Sequence, residues 1–200
     1  MMERWQQVAE RMNTALRCTI AMVGMMGSGK TAVGSEVARR LDVPFIDSDH
    51  EIEKAANATI AEIFERDGEP FFREKETQVL SRLLQGPPRI LSTGGGAFLA
   101  ERNRALIAQH GKAVWLDADI DLLWNRVKHK KTRPLLLTDD PRKTLEEIYA
   151  ARVPLYSKAQ VQVQARPEYS ISDMADEVIA ALAGTPGVLQ KGVSVPVGSN

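Results

Sequence analysis

The stretch Gly24-Met25-Met26-Gly27-Ser28-Gly29-Lys30-Thr31 decides how the rest of the chain is read. It fits G-x-x-x-x-G-K-[ST], a glycine-rich loop that wraps an anion. Glycines let the backbone curl until several amide N–H groups face one phosphate. Lys30 adds a point charge for the outer phosphates, and the Thr31 hydroxyl is a ligand for a Mg²⁺ that bridges them. Upstream lies Cys18-Thr19-Ile20-Ala21-Met22-Val23, a short apolar run suited to a buried strand. Downstream, Val33, Val37, Ala38 and Leu41 recur at helical spacing, so a helix begins at the loop and aims its positive end at the anion. Strand, glycine loop and helix together specify a nucleoside triphosphate site. They leave open what happens to the triphosphate.

The chain has 200 residues, enough for one domain with small insertions. Its 26 basic and 26 acidic residues balance, so no basic field for nucleic acid and no acidic tail are expected. No run approaches the roughly 18 apolar residues of a membrane span. The start, Met1-Met2-Glu3-Arg4-Trp5-Gln6-Gln7, is too polar for a secretory signal, which predicts a cytoplasmic protein. The single Cys18 cannot form an internal disulfide and reads as a small buried hydrophobe.

Working outward, residues 3–16 predict a helical extension, with Trp5, Val8, Ala9 and Met12 at helical spacing. Beyond the loop and its helix, Val43-Pro44-Phe45-Ile46 predicts a second strand ending in Asp47-Ser48-Asp49. Ligands of parallel α/β sheets bind at strand carboxyl ends. Alternation puts Asp47 and Asp49 on one side if the extended backbone continues through Ser48. The competing reading is that either one caps the next helix, 50–57. Thr59-Ile60-Ala61-Glu62 fits a capping box. Asp67-Gly68 breaks that helix, and another runs from Glu69-Pro70 to Leu84, its apolar side of Phe72, Val79, Leu80 and Leu83 interrupted by the acidic Glu76, three residues after Arg73. Arg89-Ile90-Leu91-Ser92 predicts a strand, and Thr93-Gly94-Gly95-Gly96 follows at its carboxyl end. Three consecutive glycines are costly in backbone entropy, and imply a close approach to the backbone or amides turned toward an anion.

Helix 99–110 and the strand Ala113-Val114-Trp115-Leu116 come next, then a helix capped by Asp117 or Asp119 and carrying Arg126. The basic segment Lys128-His129-Lys130-Lys131-Thr132-Arg133 opens a long polar connection, about 128–141, that predicts a lid. A cationic lid brings charge to a transferring phosphoryl group and excludes water. Asp140-Pro141 starts a helix whose apolar stripe, Leu145, Ile148 and Tyr149, ends in Arg152, and such an arginine needs a partner at a pocket edge. Val161-Gln162-Val163-Gln164 is the last strand, and Ile171 to Leu182 the closing helix. Residues 185–200, rich in Gly, Pro and Ser, read as a mobile tail after a single domain at 17–184.

Over residues 17–183 the chain resembles shikimate kinase. The resemblance rests on Gly24 to Thr31, Asp47-Ser48-Asp49, Phe72-Arg73 with Glu76, Gly94-Gly95-Gly96, Arg133-Pro134-Leu135-Leu136 and Arg152-Val153-Pro154-Leu155-Tyr156, in that order. It implies a three-layer α/β/α P-loop kinase of the nucleoside-monophosphate-kinase type. The implied sheet is parallel and five-stranded, in order 2-3-1-4-5, with a lid. It further implies transfer of the γ-phosphoryl of ATP to the 3-hydroxyl of shikimate by a monomer that needs Mg²⁺.

Carried over residue by residue, the resemblance gives ATP to Gly27, Ser28, Gly29, Lys30, Thr31 and Ala32, with Arg126 near adenine and Arg133 reaching over from the lid. Thr31 would ligate Mg²⁺ and Asp47 would hold it through water. Asp49 would bind the acceptor hydroxyls and act as base or orienter, with Lys30 and Arg133 as its catalytic partners. Arg73 and Arg152 would grip the shikimate carboxylate, and Gly95 and Gly96 would line the same pocket. Arginine suits a carboxylate because its planar fork binds both oxygens. The rival readings are gluconate kinase or another small-molecule kinase on this scaffold, and a nucleotide-binding regulatory module without transfer.

Overall fold

A computed structural model describes residues 15–129 and 134–190. The expected N-terminal helix at 3–16 lies almost wholly outside the described residues, as do Arg133 and the centre of the lid. Five parallel strands form one sheet: β1 (Thr19–Val23), β2 (Phe45–Asp47), β3 (Ile90–Ser92), β4 (Gly111–Asp117) and β5 (Val161–Gln164). Their order is β2-β3-β1-β4-β5, as the resemblance implied. Helices α1 (Lys30–Arg40), α2 (Ser48–Ala56), α3 (Ile60–Leu84), α4 (Glu101–His110), α5 (Ile120–Val127), α6 (Pro141–Tyr156) and α7 (Ile171–Ala183) make the outer layers. Short 3₁₀ turns occupy Ala97–Leu99 and Pro134–Leu136.

The central strand is the most apolar and lies deepest: all five residues of β1 are buried. That is the pattern of a parallel strand covered on both faces. α1 packs closely over it because Gly34 has no side chain; a Cβ there would come within 3.1–3.3 Å of Phe45, Met22 and Ile90. α1 also carries Arg40, which donates to Glu36 on its own helix and to Asp176 and both oxygens of Ser172 on α7. α1 and α7 are thereby tied together at the surface.

Several predicted boundaries hold for the stated reasons. Thr59 and Glu62 form the reciprocal capping box of α3, and Asp119 and Asp140 cap α5 and α6. Gly68, at φ 80° and ψ 170°, breaks the helical geometry between residues 60 and 84, so two helices meet there, as predicted from Asp67-Gly68. No helix among the described residues is long and apolar enough to cross a membrane.

The segment after α7, read from sequence as mobile, folds back as far as residue 190. Val188 is fully buried and its carbonyl accepts from Arg17 N–H, Leu189 bridges Leu16 in antiparallel fashion, and Gln190 N–H donates to Ala15. The Gly-Pro composition misled because two apolar residues, Val188 and Leu189, suffice to seat the strand-like return. Val188→Ala is expected to destabilise the fold by about 2 kcal/mol in urea unfolding. A mobile segment would give no change.

Candidate active site

The loop between β1 and α1 forms the first half of the site. Gly27 and Gly29 have φ of 83° and 99°, the left-handed region that other residues enter at a cost. Gly27 is needed for space as well, since a Cβ would lie 2.7 Å from Val127 on α5. Lys30 Nζ donates to the Gly24 and Met25 carbonyls, 3.0 Å each. Thr31 Oγ1 donates to Asp47 Oδ2 at 3.1 Å and lies 3.2 Å from Ser92 Oγ. Arg126 reaches from α5 to the Gly27 and Ser28 carbonyls, at 3.3 and 3.4 Å, and its half-burial pulls its pKa below the usual guanidinium value. The loop opens on a cleft of about 530 Å³ whose lining includes Thr31, Ala32, Asp47, Asp49, Gly94, Gly95 and Arg126.

Asp47 and Asp49 both face this cleft, but not by strand alternation. The extended backbone stops at Asp47 and α2 starts at Ser48. Asp47 is the N-cap: its Oδ1 accepts from Asp49 N–H at 3.0 Å while its Oδ2 takes the Thr31 hydroxyl. The capping and the cleft-facing readings of Asp47 are therefore both realised, one by each carboxylate oxygen. Asp49 sits in the first turn of α2 with Oδ1 buried and unpaired.

The three glycines after β3 meet three charged side chains. A Cβ on Gly94 would come within 2.5 Å of Asp49 Oδ1, and one on Gly96 would overlap the Arg73 guanidinium. At Gly95 the neighbour is Arg152 Nη1, 3.9 Å from the same imagined atom. None of the three has a left-handed φ, so space rather than conformation requires glycine here. The structure thus brings Asp49, Arg73 and Arg152 onto one bare strip of backbone. Gly94 N–H donates to Ser48 Oγ at 3.2 Å, and Thr93 Oγ1 donates to the Met22 carbonyl, which fixes the strip to β1 and α2.

Arg73 is pre-oriented by its own helix. Its Nη1 reaches both oxygens of Glu76, at 3.1 and 3.0 Å, and its other nitrogens reach Glu69 Oε1. Glu76 is 2% exposed, which explains the acidic residue found on an apolar helix face. Burial pushes its carboxyl up, and the Arg73 charge opposes the rise. Sequence reasoning missed Tyr169, Ser170, Ile171 and Met174, which also line the cleft. The segment after β5 leaves the same sheet edge as the phosphate loop, and that topological rule is the signal that could have found them.

Burial, followed by the charge of Asp47, raises the Asp49 pKa from 3.8 to about 6, with Lys30 opposing. A carboxyl that holds its proton more tightly folded than unfolded destabilises the fold when ionised. The penalty is complete above about pH 6, and vanishes below the unfolded value near pH 4. Asp49→Asn is therefore expected to raise unfolding stability at about pH 8, by on the order of 2–3 kcal/mol without ligands. The gain should shrink as the pH falls from about 6 to about 4. Equal gains in urea titrations at both ends of that range would contradict it.

Comparison with known proteins agrees with this geometry. The shikimate kinase family model matches residues 26–183. A shikimate kinase from Ruegeria pomeroyi is 63% identical over 176 residues, 88% of this chain and 90% of that protein. One from Cereibacter sphaeroides is 61% identical over 175 residues, 88% and 87% of the two chains. Among solved structures, the shikimate kinase from Acinetobacter baumannii in complex with shikimate has a TM-score of 0.78 and 38% identity, covering 84% of this chain and 93% of its own. A gluconokinase from Sinorhizobium meliloti, 19% identical with a TM-score of 0.56, shares the fold alone. By its matched residues and its high identity to relatives along most of its length, this chain belongs to the shikimate kinase family.

Proposed function

We propose that the cleft transfers the γ-phosphoryl of ATP to the 3-hydroxyl of shikimate, giving shikimate 3-phosphate and ADP on the route to chorismate and the aromatic amino acids. The observation that carries the reading is the convergence of Asp49, Arg73 and Arg152 on the glycine triplet beside the phosphate loop. A polyol acid asks for that combination: a carboxylate acceptor for its hydroxyls and two guanidiniums for its carboxylate.

In this reading Gly27 to Ala32 cradle the phosphates and Lys30 moves from its loop carbonyls to the β- and γ-phosphates. Arg126 packs near adenine, and Arg133 closes over the phosphates with the lid. Thr31 and Asp47 suit Mg²⁺, since a hydroxyl and a carboxylate 3.1 Å apart match an ion that takes most of its ligands from phosphate and water. Among the described residues no group of three or more acidic, His or Cys side chains forms a cage of its own. When bound, the ion neutralises charge on the transferring group. Asp49, ionised at neutral pH, orients the 3-hydroxyl and takes its proton as the new O–P bond forms and the bond to the β-phosphate oxygen breaks. Positioning and charge supply most of the rate.

A coupled assay should detect ADP release that depends on shikimate and not on gluconate. Equal release with gluconate, or none with either, would reject the substrate assignment. Asp49→Asn should cut kcat by at least about a hundredfold with ATP affinity near wild type. Arg152→Ala should weaken shikimate binding by about 2–5 kcal/mol in calorimetry, the loss of one partner of a desolvated charge pair. An unchanged Kd would return Arg152 to a structural role.

A further inference from the structure

The last residue of α6, Tyr156, is fully buried, and its hydroxyl donates to a backbone carbonyl, that of Gly95, 61 positions away in sequence. A buried phenol must find a partner, but the partner here is the middle of the strip against which substrate is read. The ring is fixed from behind by Trp115 of β4, stacked at 24° with centroids 6.4 Å apart. Arg152 precedes Tyr156 by one helical turn on the same face, close enough for its charge and a hydrogen bond to act on the phenol oxygen. It also flanks Gly95 directly. The strip's other anchors come from elsewhere: Ser48 of α2 holds Gly94, and Met22 of β1 holds Thr93. Of these anchors, only Tyr156 belongs to the helix that carries Arg152.

We propose that Tyr156 is a positioning residue of the acceptor site: its hydrogen bond to the Gly95 carbonyl locks the glycine strip and the Arg152 guanidinium into one rigid receiver for the substrate carboxylate. This rests on the reading of Arg152 as a carboxylate-binding residue. Removing the hydroxyl leaves the Gly95 carbonyl without its donor and lets the strip and α6 shift independently. A displacement of about 1 Å in a bidentate clamp is enough to weaken it severely. The groups read as holding ATP, Gly27 to Ala32 and Arg126, are not those that make this bond, so ATP should not sense its loss.

Tyr156→Phe tests the assignment, because phenylalanine keeps the ring and its packing on Trp115. Shikimate Kd by calorimetry without nucleotide, and shikimate KM, are expected to rise about tenfold. ATP KM and kcat should stay within about twofold of wild type. In the Arg152→Ala background the same substitution should add little, because the clamp it positions is already gone. A fall in melting temperature with unchanged shikimate Kd would overturn the proposal and leave a structural tyrosine. So would a parallel rise in both KM values, or full additivity with Arg152→Ala. Failure of the wild-type protein to phosphorylate shikimate is a separate outcome, and would reject the substrate reading itself.

Discussion

The parallel pairing of β1 with β3 is the constraint on which the site depends. Met22 stands beside Ser92 in the ladder, so the two strands end level with one another. The phosphate loop leaves one strand and the glycine strip leaves the other, and both must emerge on the same edge of the sheet. Donor and acceptor sites are thus neighbours because of backbone hydrogen bonds, before any catalytic side chain is considered. β2, on the far side of β3, then delivers Asp47 and Asp49 to the seam. Asp47 serves both halves at once, bonded to Thr31 on one side and capping the helix of Asp49 on the other.

The acceptor side shows how little room such a seam leaves. Three charged groups approach one strip of backbone, and each gains its position from a different element: Asp49 from α2, Arg73 from α3 and Arg152 from α6. Buried charge is costly unless it is paired. Arg73 is compensated by Glu69 and Glu76, whereas Asp49 buries one carboxylate oxygen without a hydrogen-bond partner and keeps its proton to an unusually high pH. The fold tolerates a destabilising carboxylate at the place proposed for the acceptor hydroxyl.

Much of this was legible in the sequence because it follows from local rules. The phosphate loop is a contiguous motif whose glycines meet conformational demands. Its flanking apolar runs gave β1 and α1, and short polar signals gave the caps at Thr59, Asp119 and Asp140. What could not be read depends on contacts between distant segments. Asp47 and Asp49 were expected on one side for a reason, strand alternation, that the helix starting at Ser48 removes. The glycine triplet announced a close approach without saying to what. Glu76 stood out as acidic in an apolar stripe, and only its burial beneath Arg73 explains it. Tyr156 was legible as part of the motif opened by Arg152, but not its bond to Gly95, and the wall at Tyr169 to Met174 gave no local signal, since an apolar helix start is an ordinary core pattern. The return of Val188 and Leu189 was hidden by glycine and proline around them.

The resting partners of Lys30 have a consequence for the end of the catalytic cycle. Its ammonium bonds to two carbonyls of the same loop that wraps the nucleotide. A diphosphate that departs therefore does not strand a cation in a partly buried groove, because the loop's own oxygens take the charge over. That handover lowers the cost of letting go. Where turnover is limited by product leaving rather than by bond making, a cheaper departure raises the rate.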